Sequence, residues 1–95
     1  MEKEVKVFEE DDYGKRVIVK YDEEYRYFIM IEYDFDRSCV HFQVFQSYEN
    51  DWKYRDIYTI AQPISVLEKN LDDTIIKVCA ALDNQTLMNS PYHAF

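Results

Sequence analysis

The side chains of this 95-residue chain that could do chemistry crowd around one predicted turn. Cys39 and His41 are two apart, so on a strand they share a face, with a separation of about 7 Å along it. A thiol beside an imidazole is the beginning of a nucleophile–base pair, which needs the two groups within hydrogen-bond reach. Glu32, Asp34 and His41 are the best oxygen–nitrogen donor set for a metal, on one face at a hairpin end. Asp34-x-Asp36-x-Ser38 opens like a calcium loop, but Cys39 stands where the loop glycine belongs and Phe45 where its bidentate glutamate belongs. Each pattern has a plainer reading. Cys39 is a small hydrophobe near a turn, His41 pairs across the strands with Glu32, and closely spaced acids decorate an exposed strand end. On that reading the chain has no catalytic residue and needs no metal or other cofactor.

Other signatures are missing. There is no G-x-G-x-x-G and no G-x-x-x-x-G-K-[ST], and Gly14 is the only glycine, so a backbone cradle for phosphate is not expected. Nineteen acids against eleven bases give a net charge of −8, which disfavours direct contact with nucleic acid or an anionic membrane. The start, MEKEVKVFEE, has no apolar signal-peptide core, and two cysteines do not make a disulfide framework. A reduced, cytoplasmic protein is the expectation.

The candidate residues lie within Tyr25–Ser47, which reads as a long β-hairpin. Tyr25, Tyr27, Ile29, Ile31 and Tyr33 alternate with polar residues, and Val40, Phe42 and Val44 resume the alternation after the loop Phe35–Ser38. Pairing Asp34 with Cys39 then sets Tyr33 opposite Val40, Ile31 opposite Phe42 and Ile29 opposite Val44; a slip of one residue would bury Glu32 and Asp34. Upstream, Val5 and Val7 mark a first strand and Val17, Val19 and Tyr21 a second. Gly14 is expected to supply a positive φ in the turn between them. The turn at Asp22-Glu23-Glu24 should hold three or five residues to keep like faces together. A fifth strand over 54–60 is expected to follow a loop at Glu49–Lys53, with Val44 facing Tyr58 and Phe42 facing Ile60.

Pro63 ends the strands. Ser65-Val66-Leu67-Glu68 has capping-box spacing, and Leu67, Leu71, Ile75, Val78 and Leu82 form one helical stripe, with Asn70–Asp73 a potential break. The fold expected is α+β: an antiparallel β-meander of four to five strands (about 3–60), one C-terminal helix (about 65–84) on one face, and a tail over 85–95, in a single domain. The helix would sit on Val5, Val7, Val17, Val19, Ile29, Ile31, Val40, Phe42 and Val44.

The opposite face should carry an apolar stripe: Phe8, Ile18, Phe28, Met30, Phe45 and Ile57. A patch of that size calls for a cover, either the tail (through Leu87, Met88, Tyr92 or Phe95), a second copy in a homodimer, or another protein. Acids gather at the turns, Glu9, Glu10, Asp11, Asp12, Asp34 and Asp36 at one end of the sheet and Asp22, Glu23 and Glu24 at the other, where they could imitate a phosphate backbone. With Tyr13, Tyr25, Tyr48, Trp52 and Tyr54 as interface aromatics, these features point to a non-enzymatic acidic binding protein with a basic protein partner. The concrete expectation is a small inhibitor of a nucleic-acid-handling enzyme, of the phage or mobile-element anti-defence kind. An immunity protein or antitoxin, and a homo-oligomer or accessory subunit built on the second sheet face, are the alternatives.

Overall fold

A computed structural model describes residues 2–84 and the backbone of His93–Ala94. Five strands, β1 (Lys3–Asp11), β2 (Gly14–Tyr21), β3 (Glu24–Asp34), β4 (Cys39–Tyr48) and β5 (Asp51–Ile60), form an antiparallel meander in chain order. Two helices follow, α1 (Ile64–Lys69) and α2 (Leu71–Asp83), and a two-residue strand β6 (His93–Ala94) returns to pair in parallel with Tyr58 and Thr59 of β5. This is the expected α+β meander with a C-terminal helical layer on one face.

The central hairpin has the register read from its alternation: Asp34 opposite Cys39, Tyr33 opposite Val40, Ile31 opposite Phe42, Ile29 opposite Val44 and Phe28 opposite Phe45. Its inward residues, with Val17, Val19, Tyr21, Tyr58 and Ile60 from the flanking strands, are buried against Leu67, Leu71, Ile75, Val78, Cys79 and Leu82 of the helices. Val5 packs at the margin, but Val7, expected beneath the helix, is 46% exposed. It lies on the edge strand beside an irregularity at Phe8 and lines an open groove with residues 68–73 at the α1–α2 junction.

Parity governs the connections. Inward positions are odd on β1, β2 and β3 and even on β4 and β5. A two-residue turn pairs an odd position with an even one, as in Asp11–Gly14, Tyr21–Glu24 and Tyr48–Asp51. Such a turn leaves β1–β2, β2–β3 and β4–β5 out of phase unless one strand gains a residue. Each of these three hairpins has one bulge, at Phe8, Arg26 and Arg55. The β3–β4 hairpin joins odd to even through 35–38 and has none.

Several expectations change accordingly. The β2–β3 turn holds two residues, Asp22 and Glu23, not three or five, because the bulge at Arg26 supplies the missing one. That bulge also turns Tyr25 to the outer face, opposite Lys20. The β4–β5 turn is Glu49–Asn50, both at positive φ (48° and 64°), the conformation that suits a tight two-residue hairpin. Phe42 therefore faces Tyr58 and Val40 faces Ile60, a slip of two residues that leaves the same side chains inside.

Gly14 does not have positive φ. Asp11 shapes its turn instead, its Oδ1 accepting from the amides of Tyr13 (2.7 Å) and Gly14 (3.0 Å). The glycine is needed for close approach, since a Cβ there would lie 1.9 Å from the carbonyl oxygen of Ile31. Ser65 is not a cap: the helix begins at Ile64 with Pro63 as N-cap and no side-chain hydrogen bond. Asn70 breaks the helix, its carbonyl taking both the amide and the hydroxyl of Thr74 (3.0 Å each).

Tyrosine–carboxylate bonds tie the layers together. Tyr21 and Tyr27 both donate to the Asp83 carboxylate, the latter at 2.5 Å, and Tyr33 donates to Glu68 at 3.2 Å. The helical layer thus runs antiparallel to β3. Asp83 is exposed as a residue, yet its oxygens are engaged by these hydroxyls. Burial, and then the bond to Asp83, pushes the hydroxyls of Tyr21 and Tyr27 well above the usual tyrosine range. Burial, followed by the charge of Glu68, lifts Tyr33 to about 12, and burial lifts the Cys79 thiol to about 12.

Two outcomes follow from this frame. Gly14→Ala is expected to cost about 3 kcal/mol in urea unfolding, the upper end for overpacking, because the clash is with backbone that cannot yield without parting β2 from β3. Groups that hold their protons more tightly folded than unfolded contribute fully below the unfolded pKa, 9.0 for Cys79 and 10.0 for the tyrosines. Stability should therefore be level up to about pH 9 and fall as the pH rises toward 12. A urea midpoint that stays constant over that range would contradict it.

Candidate functional site

The polar cluster at the end of the central hairpin differs in membership from the set suggested by spacing. Asp34 closes β3, Cys39 opens β4 directly opposite, and His41 follows two residues on. His41 Nε2 lies 3.3 Å from Asp34 Oδ2 and 3.8 Å from Cys39 Sγ, while its Nδ1 lies 3.1 Å from Thr59 Oγ1 of β5. Glu32 is the register partner of His41 but makes no hydrogen bond to it; the ring turns to Asp34 instead. The expected Glu32–His41 pair is thus replaced by an Asp34–His41 pair with Cys39 alongside. Asp34 Oδ1 accepts from the Arg37 amide at 3.0 Å, and this bond, with the neighbouring imidazole, holds the carboxyl below its usual range. The Cys39 thiol and the His41 imidazole are in long sulfur hydrogen-bond contact, with Asp34 on the same ring nitrogen.

The outer face carries the stripe that alternation predicted, in a richer form. Phe28 is its centre. Its ring lies 5.6 Å from Phe8, 5.7 Å from Phe45 and 6.0 Å from Trp52, and Phe45 lies 5.7 Å from Tyr54. These separations are those of interacting aromatic pairs. Ile18, Met30 and Ile57 are half-buried on the same face. Trp52 and Tyr54 were assigned to interface aromatics without a place. The bulge at Arg55 reverses the parity of β5 below it and brings both into the band. Tyr54 is 55% exposed and Phe8 52%. The tail residues Leu87, Met88, Tyr92 and Phe95, considered as a cover, lie outside the described residues; the backbone of His93–Ala94 lies in the sheet, at the edge of β5.

The acidic turns divide into two groups. Glu9 is paired with Arg16 at 2.7 Å and Glu10 with Lys15 at 3.4 Å. Asp11 and Asp34 use an oxygen to close their own turns, and Asp22 holds the amide of Glu2 at 2.9 Å. Asp12, Glu23, Glu24 and Asp36 have no side-chain hydrogen bond or ion pair among the described residues. They are the acids left to face outward. Glu10, Asp11, Asp12 and Glu68 also share a shallow groove with Tyr33 and Phe35, where the β1–β2 turn meets the β3–β4 loop.

No described helix is long and apolar enough to cross a membrane. No family model matches the chain, and neither curated proteins nor solved structures give a match. The site therefore stands on its geometry.

If the aromatic band is open in the folded chain, Trp52, the only tryptophan, should be readily quenched by acrylamide under native conditions. Blue-shifted emission that resists quenching would show the face to be covered.

Proposed function

We propose that this protein acts by binding, and that its outer sheet face docks on a basic protein surface. The observation that supports this most directly is the contiguous band Phe8, Phe28, Phe45, Trp52 and Tyr54 on a face whose turns hold acids without internal partners. An apolar aromatic centre with a charged rim is the usual anatomy of a protein interface, and Trp and Tyr are the side chains that most often dominate its energy. Charge favours a basic occupant over a second copy. Two like faces meeting would oppose two chains of net charge −8, whereas a basic surface is attracted.

The specific form we propose is a non-enzymatic inhibitor that occupies the basic groove of a nucleic-acid-handling enzyme, the phage or mobile-element anti-defence kind of protein. Asp12, Glu23, Glu24 and Asp36 would take the place of phosphates. An antitoxin or immunity protein against a basic toxin would use the same chemistry.

The test is binding and inhibition against purified nucleases and nucleic-acid-binding enzymes with basic clefts, across a salt series. Raising salt from about 0.1 M to about 1 M shortens the screening length from about 10 Å to about 3 Å, so the complex should dissociate. Joint replacement of Asp12, Glu23, Glu24 and Asp36 by amides should weaken it at least about tenfold, or ~1.4 kcal/mol. Trp52→Ala should weaken it as well. Sedimentation as a stable dimer that persists in high salt and is lost in Trp52→Ala would overturn the proposal in favour of self-assembly.

A further inference from the structure

The Asp34–Cys39–His41 cluster is not used by the proposed docking face, yet its donors are placed with unusual economy. One atom from each residue, a carboxylate oxygen, the thiol sulfur and an imidazole nitrogen, lies within 4.8 Å of the others. Among the described residues no other group of three such donors converges in this way. Zinc bonds of about 2.3 Å to sulfur and about 2.0–2.2 Å to nitrogen and oxygen imply tetrahedral edges of about 3.3–3.6 Å. The observed Nε2–Oδ2 separation is 3.3 Å and Nε2–Sγ is 3.8 Å. The third edge, carboxylate to sulfur, lies within 4.8 Å, so closing the tetrahedron takes side-chain rotations that move Oδ2 and Sγ together by about 1 Å.

The outer partners fit as well. A metal-bound histidine ordinarily has its second nitrogen held by a protein group, which fixes tautomer and ring orientation. Here Thr59 Oγ1 lies 3.1 Å from Nδ1, leaving Nε2 for the metal. Asp34 is likewise held through Oδ1 by the Arg37 amide, leaving Oδ2 directed to the cluster. Cys39 is 7% exposed, while the side chains of Asp34 and His41 are 22% and 24% exposed, so the cluster is neither sealed nor fully solvated.

We propose that Asp34 Oδ2, Cys39 Sγ and His41 Nε2 bind one divalent transition-metal ion of the Zn²⁺ class, with the remaining tetrahedral position left to water. Thiolate and imidazole select Zn²⁺ or Co²⁺ over the oxygen-seeking Mg²⁺ and Ca²⁺. On binding, Cys39 gives its proton to solvent, and thiolate plus carboxylate balance the charge of the ion. Bridging Asp34 to Cys39 and His41 would clamp the 35–38 loop to both strands.

The test is titration of the reduced, metal-free full chain with Co²⁺. One equivalent should produce a thiolate-to-cobalt charge-transfer band and tetrahedral visible bands, both erased by Zn²⁺ and unaffected by excess Mg²⁺. Cys39→Ser should abolish the charge-transfer band, while Cys79→Ser and Glu32→Gln should retain it. Should Cys39→Ser fail to fold, Asp34→Asn and Thr59→Val serve instead. Each is expected to weaken Co²⁺ binding by about tenfold or more while leaving the circular dichroism unchanged. Absence of a charge-transfer band in the folded wild type overturns the site, as does a band that survives Cys39→Ser or requires His93.

Discussion

One sheet face must stay in phase beneath a single helical layer, and the rest of the structure follows from meeting that demand. Side chains alternate across a strand with period two, so a one-residue error in any hairpin would turn that strand's valines and isoleucines to water. Three two-residue turns create such an error, and three bulges remove it. The four-residue loop between β3 and β4 needs no bulge because its strands already have opposite parity. The result, among the described residues, is a core with no buried polar or charged residue apart from tyrosine hydroxyls. It is held at the two ends of the helical layer by Asp83 and Glu68.

Those end bonds explain why the helices lie along the sheet as they do. Helix-to-sheet contact through apolar side chains alone is poorly directional. A carboxylate accepting two phenolic hydroxyls is not. Asp83 can meet both Tyr21 and Tyr27 only when the C-terminus of α2 lies over the start of β3. Glu68 can reach Tyr33 only when α1 lies over its end. The break at Asn70 divides the layer, so that α1 carries the bond of Glu68 and α2 those of Asp83. Charge-assisted hydrogen bonds are roughly twice as strong as neutral ones, so they are well suited to choosing one orientation among several that bury similar area.

What was legible in the sequence was what period alone determines. The alternation through Tyr27–Tyr33 and Val40–Val44 gave the register of the central hairpin, and the stripe Leu67–Leu82 identified the buried helix face. Bulges were not legible, because Arg26 and Arg55 are ordinary strand residues with no glycine or proline to announce them. That single blind spot accounts for the misjudged β2–β3 turn, the two-residue slip of β5, and the misplacement of Tyr25. The role of Gly14 was missed for a different reason: a glycine adjoining a turn is read as a φ requirement, whereas here the constraint is the Ile31 carbonyl of a neighbouring strand. In the polar cluster, spacing named His41 and Asp34 but chose Glu32 as the third member. Register pairs seemed to decide the contact, yet the Thr59 hydroxyl on β5 lies against one ring nitrogen and leaves the other toward Asp34 and Cys39.

The bulges also connect folding to the outer surface. Without the extra residue at Arg55, Trp52 and Tyr54 would have the parity of Tyr58 and point beneath the helices. Without the one at Arg26, Tyr25 would have the parity of Tyr27. The same device that keeps the core in phase therefore moves three aromatic side chains onto the opposite face, two of them against Phe28 and Phe45. An aromatic surface built this way cannot drift independently of the core. Removing the bulge at Arg55 would give Trp52 and Tyr54 the inward parity of Tyr58. The edge strand β1 completes the arrangement, since its alternating Lys3, Glu4, Lys6 and Glu9 charges discourage strand addition at that edge. The flat outer face, by contrast, carries the aromatic rings.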